Sequence, residues 1–160
     1  MSNDDLRVLM VEDEPETAQA VKMLLNSLKP GWEIVWANCI LPALKLLKDG
    51  QKFDVVLLDL GLPETKGPAA IAYVREADSC VPIVVVSGSI PEQEIMYRMG
   101  AQVYLQKPVV PELLLESIGQ AIAMRTCTIN REIADRTLSE ANSAIIDLLD
   151  LTRKPVNTAK

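Results

Sequence analysis

The sequence predicts an α/β fold: a doubly wound parallel sheet of five strands with five helices, followed by a C-terminal helical extension. Three observations carry that prediction. Short aliphatic runs recur five times along the chain, each bounded by turn-forming or charged residues. Segments with apolar residues at three- and four-residue spacing separate them, as crossover helices require. Four of the five runs end in a residue with useful chemistry, and such sheets bind ligands at the carboxyl ends of their strands.

Leu6 to Val11 is the first strand, ending in Glu12-Asp13-Glu14. Pro15 suits the first turn of a helix whose apolar face is Ala18, Val21, Leu24, Leu25 and Leu28, stopped by Pro30-Gly31. Glu33 to Ala37 is the second strand. Asn38 can cap the next helix, Pro42 fits its first turn, Leu44 and Leu47 face inward, and Gly50 ends it. The third strand, Val55 to Leu58, is an unbroken aliphatic run that is buried on both faces, and Asp59 stands at its end before Gly61 and Pro63. Gly67-Pro68 opens a helix through Ile71 and Val74 to about Ala77. Val81 to Val86 is the fourth strand, ending at Ser87-Gly88. Pro91 starts a short helix closed by Gly100, Ala101 to Leu105 is the fifth strand, and Gln106-Lys107-Pro108 follows. Pro111 opens the last helix along Leu114, Ile118 and Ile122.

Composition narrows the function. At 160 residues the chain is one domain with room for an appendage. A net charge of −6 argues against a nucleic-acid surface. With no histidine, the chain cannot run Ser-His-Asp or Cys-His catalysis, hold zinc through imidazole, or carry a phosphohistidine itself. Cys39, Cys80 and Cys127 lack metal or CxxC spacing, so they are expected to be reduced and buried. The polar, acidic N-terminus is no signal peptide, and no apolar run reaches membrane-spanning length. A soluble, cytoplasmic protein without membrane contact is expected.

Glu12, Asp13, Asp59, Ser87 and Lys107 thus share one rim of the sheet. Individually, acidic residues cap helices, serine fills turns and lysine solvates edges; together on one rim they make a site. Each close carboxylate pair costs about 4 kcal/mol at an effective dielectric near 20. A hard divalent cation relieves that repulsion, and two or three carboxylates suit Mg²⁺. Lys107 offers a mobile cation, Ser87 a hydroxyl, and Gly88 room beside it. This set makes a phosphoryl-transfer site with Asp59 as nucleophile.

These residues resemble the receiver domains of two-component response regulators. The resemblance covers about residues 5 to 126 and rests on Glu12-Asp13, Asp59-x-x-x-Pro63 with Gly67 following, Ser87-Gly88, Tyr104 and Lys107-Pro108. It implies strand order 2-1-3-4-5, a receiver domain over 1–126, and phosphorylation of Asp59 by a histidine kinase or phosphotransfer protein. It also implies that Asp13, Asp59 and the Gly61 carbonyl ligate Mg²⁺, with Glu12 acting through water. Ser87, Gly88 and Lys107 would bind the phosphoryl group, Ser87 and Tyr104 would form the switch, and the Lys107-Pro108 bond would be cis. Such a domain catalyses only its own phosphorylation and dephosphorylation. The first acidic residue is Glu12 rather than the commoner Asp, and Ser87 replaces the commoner Thr. Tyr104 could also simply be a packed aromatic.

Two rivals fail on specific residues. Haloacid-dehalogenase-like phosphatases need a second Asp two residues after the first, where Gly61 stands. Flavodoxin-like FMN binding needs a Ser/Thr/Gly-rich loop after the first strand, where Glu-Asp-Glu stands.

Residues 127–160 are a helical extension with balanced charge, too short and too neutral for a helix-turn-helix domain. Ala134, Leu138, Ala141, Ile145, Leu148 and Thr152 alternate steps of four and three, a coiled-coil-like stripe. A continuous helix from Pro111 to about Arg153 would run roughly 65 Å, so its aliphatic residues must pair with another chain or fold back. Thr137-Leu-Ser-Glu140 fits a capping box and allows a break there. The narrow stripe favours a homodimer. The alternative is the receiver end of a longer regulator whose DNA-binding or enzymatic effector is absent from this chain. Sedimentation of the full chain against a truncation ending at Arg125 should show a dimer and a monomer; a full-length monomer at tens of micromolar would refute pairing.

Overall fold

The computed structural model describes residues 5–65, 67–88 and 93–125, with residues 136, 139, 140 and 143 beyond them. Strands β1 (Arg7–Val11), β2 (Glu33–Ala37), β3 (Val55–Leu58), β4 (Ile83–Ser87) and β5 (Val103–Gln106) form one sheet in the order β2-β1-β3-β4-β5. Every neighbouring pair is parallel. Helices α1 (Pro15–Leu28), α2 (Ile40–Lys48), α3 (Ala69–Ala77) and α4 (Gln93–Arg98) alternate with the strands, and α5 (residues 111–125) follows β5. This is the doubly wound fold and strand order that the sequence predicts.

Alternation along each strand feeds two cores, one per face of the sheet. Leu9, Val11, Val56, Leu58, Ile83 and Val85 pack with Ala43, Leu47, Ile71, Val74 and Met96 of α2, α3 and α4. Val8, Met10, Val55, Leu57, Val84 and Val86 pack on the other face with Ala18, Leu25, Leu114 and Ile118 of α1 and α5. Each fully buried large aliphatic contributes about 1.5–3 kcal/mol. Burial on both faces explains why β3 and β4 read as unbroken aliphatic runs.

Several local expectations are corrected. Leu28, placed on the inner face of α1 by its spacing, is exposed at the helix end. β4 begins at Ile83 because Pro82 has no N–H to donate, and it runs on to include Ser87. Asn38 does not cap α2. The cap position is Cys39, which makes no side-chain cap bond, and the Ile40 N–H donates instead to Glu64 Oε1 at 2.6 Å. Cys39 is half-buried and Cys80 exposed, so the cysteines are not a buried set. Cys127, Pro91, Thr137 and the stripe from Ala134 to Thr152 lie outside the described residues.

The chain divides into two units, residues 1–125 and 126–160. In the second, the helical residues Arg136 and Glu140 form an exposed ion pair one turn apart at 3.0 Å. Among the described residues, no helix is long and apolar enough to cross a membrane.

Arg75, in the last turn of α3, ties the lower edge of the sheet together. Its guanidinium donates to the carbonyls of Val81 and Gly100 and to Gln102 Oε1, which also accepts from the Ile83 N–H at 2.7 Å. Burial pulls its pKa below the usual value, against the neighbouring charge of Asp78. Gly100 accepts this contact only as glycine: its φ is +102°, and a Cβ there would meet Arg75 Nε at 2.7 Å. In urea denaturation Gly100→Ala should cost about 2 kcal/mol or more. Combining it with Arg75→Ala should cost less than the two single losses added, because the colliding side chain is gone. Additive losses would contradict this account.

Candidate functional site

The strand order reverses at β1, whose neighbours are β2 and β3, and the crevice beyond the carboxyl ends of β1 and β3 gathers the acidic residues. Glu12 directly follows β1 and Asp59 directly follows β3. The backbone continues the ladders past both strand ends: the Glu12 N–H donates to Ala37 O at 3.1 Å and the Asp59 N–H to Val11 O at 3.0 Å. Both side chains are buried, and Asp13 is half-buried beside them. One carboxylate oxygen from each of Glu12, Asp13 and Asp59 lies within 4.8 Å of the others.

Lys107 reaches this cluster from the end of β5. Its Nζ donates to Glu12 Oε2 at 2.7 Å and to Asp59 Oδ2 at 2.9 Å. The remaining oxygens have backbone donors: Glu14 N–H to Glu12 Oε1 at 3.2 Å, and Gly61 N–H to Asp59 Oδ1 at 2.8 Å. Burial pushes the Glu12 carboxyl above its ordinary value, more than Lys107 and the Glu14 amide lower it, and the Asp59 charge pushes the same way. For Lys107, burial pulls downward, but the bonds to Glu12 and Asp59 and their charges outweigh it, so its pKa is raised. The ammonium is therefore charged at neutral pH.

Lys107 is held in turn by β4. Its N–H donates to Ser87 O at 3.0 Å, and the Lys107-Pro108 peptide is cis. Ser87 is the last residue of β4 and is buried, with Gly88 next to it in a bend; a Cβ at Gly88 would meet nothing within 4 Å. Tyr104 on β5 is in register with Val85, two residues before Ser87, so Tyr104 and Ser87 face the same side of the sheet. Tyr104 is half-buried against the core beneath α2 and α3. The structure thus brings Glu12, Asp13, Asp59, Gly61 and Lys107 into one cluster, joins Ser87 to it through the Lys107 backbone, and sets Tyr104 on the neighbouring strand two residues below the level of Ser87.

Two supporting residues have no signal in the sequence. The Trp36 indole N–H donates to Glu12 O at 2.8 Å, and Glu64, in the loop after Asp59, holds the first amide of α2. Each is twenty-four residues from its partner, a separation no local spacing rule reaches. Chemically, the cluster is a set of hard oxygen donors with the Lys107 cation inside it; a small cavity of about 20 Å³ beside it is bordered by Glu12, Asp59 and Lys107 and otherwise mostly by aliphatic side chains such as Val11, Leu57 and Leu114. Oxygen donors of this kind fit a divalent cation such as Mg²⁺.

Comparison with known proteins identifies the family and agrees with the fold. Residues 8–119 match the response regulator receiver domain family. The chain is 27% identical over 124 residues to the transcriptional regulatory protein GlrR of Escherichia coli, covering 76% of this chain and 27% of GlrR. It therefore spans only about a quarter of that relative. It is 31% identical over 121 residues to the protein PilH of Pseudomonas aeruginosa, covering 73% of this chain and 98% of PilH. Among solved structures, the receiver domain of the sensor histidine kinase PA1611 from Pseudomonas aeruginosa superposes with a TM-score of 0.65 at 24% identity. That match covers 74% of this chain and 98% of the other, which holds a magnesium ion in its active-site cleft. The chain belongs to the response regulator receiver domain family of two-component signalling.

Proposed function

We propose that Asp59 is the phosphoacceptor of this receiver and that a histidine kinase or phosphotransfer protein is its donor. The observation that carries the reading is the placement of Asp59, buried at the end of β3 with Lys107 on one oxygen and the Gly61 amide on the other. In the transfer, one Asp59 oxygen forms the new bond to phosphorus while the bond to the donor's imidazole nitrogen breaks, and that nitrogen keeps the electron pair. Asp13, Asp59 and the Gly61 carbonyl would hold Mg²⁺, with Glu12 acting through water. When bound, the ion offsets charge on the phosphoryl oxygens and on the crowded carboxylates. Lys107 and the Ser87 hydroxyl bind the phosphoryl oxygens, and Gly88 leaves room for them. Ser87 moving toward the phosphoryl group frees space that Tyr104 enters, a shift of a two-state equilibrium that a few kcal/mol of differential binding suffices to drive.

The receiver is assigned to residues 1–126 and the helical extension to 127–160, with homodimerisation through that extension and no nucleic acid bound by this chain. A second reading, the receiver end of a longer regulator, is favoured by the small share of GlrR that this chain spans, whereas the near-complete span of PilH favours output through protein contacts alone. Either way the reaction is the domain's own phosphorylation and dephosphorylation.

Incubation with a small-molecule phosphodonor and Mg²⁺ should add one phosphoryl group, as read by intact mass. Asp59→Asn should abolish it, and a chelator should suppress it in the wild type. Wild-type labelling of Asp59→Asn would overturn the assignment.

A further inference from the structure

We propose that Trp36 is the positioning residue of the acidic cluster: its indole N–H holds the Glu12–Asp13 peptide group and so sets where the Asp13 carboxylate stands. The inference rests on the cluster being a divalent-cation site and adds the residue that tunes its affinity. Glu12 lies one residue beyond the paired part of β1 and is fixed at four points. Its N–H bonds Ala37, its carbonyl bonds Trp36, and its two carboxylate oxygens bond Glu14 and Lys107. Asp13 differs: among the described residues, no hydrogen bond or ion pair holds its carboxylate, which lies within 4.8 Å of the other two. Its position is inherited from the peptide group that joins it to Glu12, and the oxygen of that peptide is the one Trp36 holds.

Trp36 is also in an unusual place for a tryptophan. It sits on the edge strand β2 with 41% of its surface exposed, so burial does not account for it. Its ring borders a groove with Pro15, Ala18, Gln19 and Lys22, on the helix into which Asp13 and Glu14 lead. The indole therefore braces the peptide bearing Asp13 while its ring faces the groove beside α1. A cation drawn to Asp13 pulls on that same peptide, so its binding reaches the indole hydrogen bond.

Mg²⁺ titration of the full chain tests this, by calorimetry and by tryptophan emission, on the wild type, Trp36→Phe and Asp13→Asn. Trp36→Phe should weaken Mg²⁺ binding about three- to tenfold, the effect of one lost hydrogen bond behind a ligand. Its metal-free unfolding midpoint should stay close to that of the wild type. The Mg²⁺-induced emission change should vanish in Trp36→Phe although the buried Trp32 remains. Benzothienylalanine at position 36, which keeps the ring shape and removes only the N–H, should reproduce the weakened binding. Wild-type Mg²⁺ affinity in both position-36 variants, with affinity lost in Asp13→Asn, would overturn the role of Trp36 alone. If the wild type takes up no Mg²⁺, or Asp13→Asn binds it equally well, the cation-site reading falls and carries this inference with it.

Discussion

The site depends on one ammonium shared between two buried carboxylates. Glu12 and Asp59 stand side by side at the end of a parallel sheet, and Lys107 bonds each within 2.9 Å. Removing one partner of such a buried group leaves an uncompensated charge, which is far more costly than the net worth of the pair. Even so, the cluster is unbalanced: three carboxylates face one cation, and Glu12 is pushed toward its neutral form by burial and by Asp59. That residual excess of negative charge is what a divalent cation would neutralise.

The sheet makes this arrangement possible by register. β1 and β3 are paired so that Val11 stands beside Leu58, which sets Glu12 and Asp59 side by side beyond the last pair. β4 and β5 pair Ser87 with Gln106, which delivers Lys107 just past the same rim. A one-residue slip in either pairing would turn the inward residues of a strand toward the wrong core. The two cores therefore hold the geometry of the rim as well as the fold, through Leu9, Val11 and Leu58 on one face and Met10 and Leu57 on the other.

Much of this was readable from the chain. The aliphatic runs and helical spacing reveal the strands, and strand-end chemistry points to Glu12, Asp13, Asp59, Ser87 and Lys107, because those signals are local. What escaped is non-local. Glu64 displaces Asn38 as the cap of α2 because a carboxylate arriving from the β3–α3 loop meets the Ile40 amide first. Trp36 reads as an ordinary strand aromatic until its indole is seen on the Glu12 carbonyl. Leu28 fits the spacing of the α1 face but lies where the helix has run past the core. Arg75 carries no local signal, yet it is turned inward onto four acceptors.

The measurement closest to the central claim is thermal unfolding with and without Mg²⁺, at constant ionic strength, for the wild type and Asp13→Asn. If the rim carries an excess of carboxylate charge, Mg²⁺ should raise the wild-type midpoint in a saturable manner, following the logarithm of its concentration above the dissociation constant. Asp13→Asn should begin more stable than the metal-free wild type, by on the order of 1 kcal/mol after solvent screening, and gain little from Mg²⁺. A wild-type midpoint indifferent to Mg²⁺, together with a metal-free Asp13→Asn less stable than the wild type, would contradict the account.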